Sequence, residues 1–247
     1  NTATAEITFG GSLYRTTGAA TYTASGTAPT NQTGSFDMNS GGSAIKFQST
    51  DNAIAFGTGT IDLANGVDLT VDTDAGAGAI SIGAIRGTTD ETVTLDAGTG
   101  ATAVGAIGNG TEIGAVTIGS AQNGAITLNG NIVATGVVSV DGDVTLGANV
   151  SISTTNDAIT FAHDIDGANA LALSSGTGTI TVTENIGASA TLASLTINAA
   201  TDETSAGSII LSGDIGSTGQ VGVTGVTKVG NTATAEITFG GSLYRTT

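Results

Sequence analysis

A short pattern recurs along this chain: an isoleucine, a small residue, a large apolar residue, two to four further residues, then Ile or Leu. It reads "AEITFGGSL" (5–13), "NAIAFGTGTI" (52–61), "GAISIGAI" (78–85), "GAITLNGNI" (124–132), "DAITFAHDI" (157–165), "GTITVTENI" (178–186), "GSIILSGDI" (207–215) and "AEITFGGSL" again (235–243). "ATAVGAI" (101–107) is a weaker copy with Thr102 in place of the isoleucine, and "VTL" (144–146) marks one more. A second element precedes most copies by seven to nine residues: "DLTV" (68–71), "TVTL" (92–95), "AVTI" (115–118), "VSI" (150–152) and "LAL" (171–173). Each unit therefore carries about three short strands and recurs roughly every twenty to thirty residues, the range of solenoid repeats. Within a strand, alternate side chains face opposite sides, so Ile126 and Leu128 point one way and Thr127 the other. One such coil cannot bury its apolar face alone. Stacked on its neighbours it can, with like residues aligned along the axis.

The fold this predicts is all-β: a right-handed parallel β-helix, or β-solenoid, the hand following from the rule for parallel crossovers. The large apolar positions are expected to form one inner column: Phe9, Phe56, Ile82, Val104, Leu128, Phe161, Val182, Leu211 and Phe239. A string of antiparallel sandwich domains is the alternative, but sandwiches do not require the same pattern in nearly every unit.

A longer period overlies the short one. "NTATAEITFGGSLYRTT" occupies residues 1–17 and again 231–247. The identity includes Thr2, Glu6, Ser12 and Arg15, positions that packing leaves free to drift, so it points to duplicated coding DNA. Residues 1–230 read as one tandem period of about ten coils, and 231–247 as the start of the next. At about 4.8 Å per stacked strand, such a period advances the axis by roughly 48 Å. Residues 16–42 fit the pattern poorly and hold the sole proline, Pro29, and the sole methionine, Met38, together with Tyr22 and Phe36. They are expected to be a long corner loop with a few buried anchors. The sharper reading is a protruding element that recurs once per period and gains avidity from repetition.

Composition removes several classes of function. There are 39 glycines, no cysteine and no tryptophan, and no apolar spacing sustains a helix. The net charge of −16 sets 21 acidic residues against five basic ones, Arg15, Lys46, Arg86, Lys228 and Arg245. Nucleic-acid binding needs clustered Lys and Arg, and none cluster. Membrane insertion by this segment is not expected, since no apolar run spans a bilayer; export and anchoring segments of a secreted parent would lie elsewhere. Gly-x-Gly stretches such as "GTGTI" read as corners because no helix follows them. The acidic pairs "VDTDAG" (71–76), "VDGDV" (140–144), "DID" (164–166) and "TDET" (201–204) offer two or three oxygens each, where calcium takes six to eight. They read as solvated corners. His163, in "FAHDID", reads as a surface residue. No catalytic, cofactor-binding or metal-ligating residue is assigned.

These "AITF…I-G" units, rich in Gly, Thr, Ala and Asn, resemble the repeat regions of bacterial filamentous-haemagglutinin-type exoproteins and autotransporter adhesin passengers. The resemblance covers essentially the whole chain and implies a right-handed parallel β-helix, secretion to the bacterial cell surface, and adhesion or extracellular scaffolding. It transfers no functional residue, because the shared pattern is structural. The exact long period departs from it and suits a filament or sheath as well as an adhesin. The expected function is therefore structural rather than enzymatic: a tile of a long extracellular fibre or surface adhesin, with itself as first partner by head-to-tail or lateral assembly. Cell surfaces, other fibres or polysaccharide are further expected contacts. Two alternatives stand beside it. One is a polysaccharide-degrading β-helix enzyme. The other is an ice-binding face built on Thr8, Thr127, Thr160 and Thr181, in a column interrupted by Ala55, Ser81 and Ile210.

Overall fold

The computed structural model describes residues 6–24, 35–88, 90–122, 124–198 and 206–247. Within them the regular structure is β-strand alone, and every strand pairing is parallel. The chain is a β-solenoid whose coils visit three faces in fixed order. Numbered as the chain meets them, the first face begins at Ile7–Phe9, the second at Leu13–Thr16 and the third at Ala20–Tyr22. A middle coil shows the plan, with Ile132–Ala134 on the first face, Val138–Asp141 on the second and Val144–Leu146 on the third.

Each face is a ladder that continues from one coil to the next. The second face stacks ten strands, from Leu13–Thr16 to Ile237–Phe239. Its inner column runs Ile45, Leu69, Val93, Val116, Val138, Ile159, Ile180, Ile209 and Ile237. The first face aligns Ile7, Phe36, Ile61, Ile85, Ile107, Ile132, Ile152, Leu173, Ile197 and Val229. The third runs Ala20, Ile54, Ile80, Thr102, Ile126, Val144, Ile165, Ile186, Ile215 and Tyr244. The strand Ile54–Leu63 crosses the corner between the third and first faces, with its register shift between Phe56 and Thr60. Nearly all inward residues are fully buried in one continuous core.

The architecture agrees with the sequence, but the expected single column does not exist. Phe56, Ile82, Val104 and Leu128 lie on the third face, whereas Phe161, Val182, Leu211 and Phe239 lie on the second. Phe9 lies on the first, paired with Met38. The second element divides in the same way: Leu69, Val93 and Val116 line the second face, while Val150 and Leu171 line the first. All three faces need the same alternation, inward branched residue then outward small residue, so the motif marks a strand without marking its face.

The described parts of residues 16–42 include strands of all three faces. Thr16 ends a second-face strand, Ala20–Tyr22 forms the third-face strand, and Ser35–Met38 returns to the first face. Phe36 and Met38 are fully buried. Pro29 lies outside the described residues, as does the acidic "TDET" (201–204).

Two devices make the corners. A hydroxyl at the end of a strand donates to a carbonyl just beyond the turn: Ser49 to Asn52, Thr154 to Asp157 (2.5 Å) and Ser175 to Gly178 (2.6 Å). Between them stand residues in the left-handed region, Asp51 at φ 54° and Asn156 at 75°, where short polar side chains are tolerated. The second device is close approach. A Cβ on Gly105 would lie 1.6 Å from the Gly83 carbonyl oxygen of the coil below, so only glycine lets these coils stack there.

Candidate functional site

The most distinctive feature is an aromatic pair that the seventeen-residue segment forms in both of its copies. The second copy of the seventeen residues presents Phe239 and Tyr244 with ring centroids 5.0 Å apart at 78°. The first copy makes the same edge-to-face pair, Phe9 and Tyr14, at 5.0 Å and 81°. Their surroundings differ. Phe9 is 7% exposed because Phe47 (5.0 Å), Tyr22 (5.5 Å) and Phe36 (6.5 Å) pack around it, whereas Phe239 is 50% exposed. A depression of about 350 Å³ lies over the second pair, lined by Ile215, Thr227, Val229, Phe239, Tyr244 and Thr246. Thr227 Oγ1 is buried there without a hydrogen-bond partner. At the opposite end the burial of Tyr22, aided by the neighbouring Tyr14, raises its phenol pKa above the ordinary 10.0.

A polar ladder follows the corner from the second to the third face. Asp164 Oδ1 accepts the Asn185 backbone N–H (2.8 Å) and side-chain amide (3.1 Å). Asn185 Oδ1 accepts the Asp214 N–H (3.0 Å), and Asp214 Oδ1 accepts those of Ser242 (2.6 Å) and Leu243 (2.9 Å). The backbone bonds from Ser242 and then Leu243 hold the Asp214 carboxyl below its ordinary 3.8. Elsewhere Asp166 accepts from Ser189 and Ala190, and Asp68 from Thr92. These carboxylates are therefore intercoil acceptors, a role that the reading of Asp164 and Asp166 as solvated corners missed.

His163 is not alone. Its Nε2 lies 3.2 Å from Asp141 Oδ1 and its Nδ1 3.5 Å from Glu184 Oε1, on the coils below and above. Asp143 joins them, its carboxylate, the imidazole and Glu184 lying within 4.8 Å of one another. Both ring nitrogens already face carboxylates. The imidazole thus sits between carboxylates of the coils on either side of its own.

Glu91 gave no signal in the sequence, yet it is fully buried. Its carboxylate accepts the Gly66 N–H of the coil below (3.0 Å), the Thr88 N–H (2.7 Å) and the Thr88 hydroxyl (2.5 Å). It pins a turn to its neighbour coil.

The outward threonines are also redistributed. Thr8 and Thr127 sit on the first and third faces, away from Thr160 and Thr181 on the second. Ala55 and Ser81, expected to interrupt their column, lie on the third face. The second face instead carries an unbroken outward hydroxyl column: Thr70, Thr94, Thr117, Ser139, Thr160 and Thr181. Ile210 ends it.

No protein family, curated protein or solved structure matches this chain. What its geometry defines is a class of architecture, the parallel β-solenoid.

Proposed function

We propose that this chain is a structural and interaction protein: one tile of a long, repetitive extracellular fibre or bacterial surface adhesin, extended by coaxial stacking of β-coils. The observation that carries this reading is the Phe–Tyr pair, which both copies of the seventeen residues form with the same edge-to-face geometry, so that the second copy continues the solenoid as the first begins it. Coils of like pattern bury their apolar columns and pair their strand edges only against a neighbouring coil, which favours coaxial continuation. The mechanism is mechanical. Parallel ladders run the length of the rod, each coil is held by its neighbours, and the net charge of −16 keeps long rods soluble and apart. The reading assigns no catalysis to the chain, and its partners are further copies of itself and the surfaces it bridges. Electron microscopy of the native material tests it. Unbranched rods with an axial repeat of roughly 45–48 Å per tile support a fibre or stalk; compact particles without axial repeat overturn it.

The uninterrupted hydroxyl column of the second face favours one second reading, ice binding. Thermal hysteresis above that of a size-matched control protein supports it. Loss of that activity on replacing Thr94, Thr117 and Thr160 by lysine assigns it to this column.

A further inference from the structure

The two copies of the seventeen-residue segment do not occupy equivalent places. In the first copy, Ile7–Phe9 lies on the first face, paired with Phe36–Met38, and Leu13–Thr16 follows on the second. In the second copy, Ile237–Phe239 lies on the second face, paired with Ile209–Leu211, and Tyr244 follows on the third, bridged to Ile215. The same letters have moved on by one face.

The ladders make the offset countable. From Ile7, the first-face column passes through nine successive pairings, to Phe36, Ile61, Ile85, Ile107, Ile132, Ile152, Leu173, Ile197 and Val229. That is nine complete turns. The chain then turns one more corner and places Ile237 on the second face. The interval from Ile7 to Ile237, 230 residues, is thus nine turns and one face, or nine and one-third turns.

We infer that an array of these periods is a screw: each tile sits one face, about 120°, round from the last, and the display closes only after three tiles. This rests on the tandem reading above. With about 4.8 Å per strand, each tile rises ~45 Å and the true axial repeat is ~134 Å over 28 turns. The consequence is an interaction surface. A feature carried once per tile, such as the His163 corner, is presented on all three sides of the rod in rotation. A partner engaging such features therefore meets the fibre from any side, and rods can bundle in three directions. An integer number of turns would align every copy along one side and favour a flat, two-dimensional packing.

The offset also fits the open end. The Phe–Tyr pair is enclosed in the first copy by Tyr22, Phe36 and Phe47. The next tile supplies the same residues to Phe239 and Tyr244 when its coils follow on, each strand one face further round.

Cysteine pairs test the phase in the 247-residue chain itself, which has no cysteine to interfere. Outward residues on adjacent parallel strands, about 4.8 Å apart, lie inside the Cα window of roughly 4.4–6.8 Å for a disulfide. Under mild oxidation, Thr8→Cys/Asp37→Cys and Ile210→Cys/Thr238→Cys should both close. Thr8→Cys/Lys46→Cys should not, since that pair closes only if both copies lie on the second face. Closure of the Thr8–Lys46 pair, or failure of Thr8–Asp37, overturns the offset. A chain lengthened to three full periods, gold-labelled once per period through Thr145→Cys, then separates the offset from the tandem reading. Imaged by cryo-electron microscopy and corrected for the twist of the rods, the labels should step ~45 Å and change face at every step. Labels in line on one face of a continuous rod overturn the screw. Separate beads, with the disulfides still closed as expected, overturn the tandem reading alone.

Discussion

Replacing Gly105 with alanine should damage this fold more than its one added methyl suggests. The new Cβ would stand 1.6 Å from the Gly83 oxygen and 2.7 Å from its carbonyl carbon, and real Cβ contacts essentially never fall below 3.0 Å. The two coils must therefore part by at least 3.0 − 1.6 = 1.4 Å at this point. The Gly105 N–H now bonds Ile82 O at 3.0 Å, and the adjoining Asn129 N–H bonds Val104 O at 2.8 Å. A 1.4 Å displacement carries the first beyond hydrogen-bonding range and strains the second. One bond lost, with its buried N–H and C=O left unpaired at about 1–3 kcal/mol each, and a second strained, give a destabilisation of about 3 kcal/mol or more. Gly219 is the control: a Cβ there meets nothing within 4 Å, so Gly219→Ala should stay within about 0.5 kcal/mol of the parent. Urea unfolding followed by far-ultraviolet circular dichroism measures both, and in the Gly105→Ala protein hydrogen exchange at the residue 105 and Asn129 amides shows whether the loss is local to those coils. A Gly105→Ala protein as stable as Gly219→Ala, with unchanged exchange, would refute the view that coil spacing here leaves no room for a side chain.

Three further predictions rest on single contacts. Glu91→Ala removes the acceptor for Gly66 and Thr88 and should cost about 3 kcal/mol in the same urea titration, with the largest increase in exchange at those two amides. Thr227→Val replaces a buried hydroxyl that has no partner by a methyl of similar shape, and should raise the unfolding midpoint by an amount equivalent to about 1 kcal/mol. Asp214 has a native pKa lowered by its bonds from Ser242 and Leu243, so its contribution is complete above the ordinary value of 3.8 and fades as pH falls through the lower native one. Carboxyl carbon resonances should titrate with a midpoint below 3.8, and amide protection at Ser242 and Leu243 should fall over the same interval.

Much of this fold is legible in the sequence because its two rules are local. "ITL" at Ile126–Leu128 and "VSV" in Val138–Asp141 both announce a strand with alternate residues buried. Neither announces its face, and for a physical reason: the three inner columns meet in one core and ask for the same branched side chains. Face identity resides in the connections. Between Asp141 and Val144 the corner takes two residues, and between Ile82 and Ala84 one, so strands separated by so little lie on consecutive faces. Coil lengths vary, and a search for one repeated isoleucine slides from one face to another, as it did between Ile126 and Ile159. Glu91 was hidden for a different reason. In "TTDETV" it is one of two acidic residues in a polar turn, and only the neighbouring coil, through Gly66, makes burial tolerable.

The same circumstance explains how the coils of this rod hold one another. Each coil leaves groups that it cannot satisfy and hands them to the next. The apolar column of one coil needs the column above, and the Asp164–Asn185–Asp214 ladder gives each backbone N–H an acceptor from the coil before it. Within the rod these debts cancel coil by coil, which is why a chain with only 11% charged residues and no disulfide can hold a long, thin core. Mid-rod, a neighbour of like sequence pattern meets both needs at once, apolar side chain on apolar side chain and N–H to acceptor. A small ligand filling the depression would meet only the first. A further coil of like pattern is therefore what the chemistry of each coil is complementary to, and the contacts that fold one turn are of the kind that would add the next.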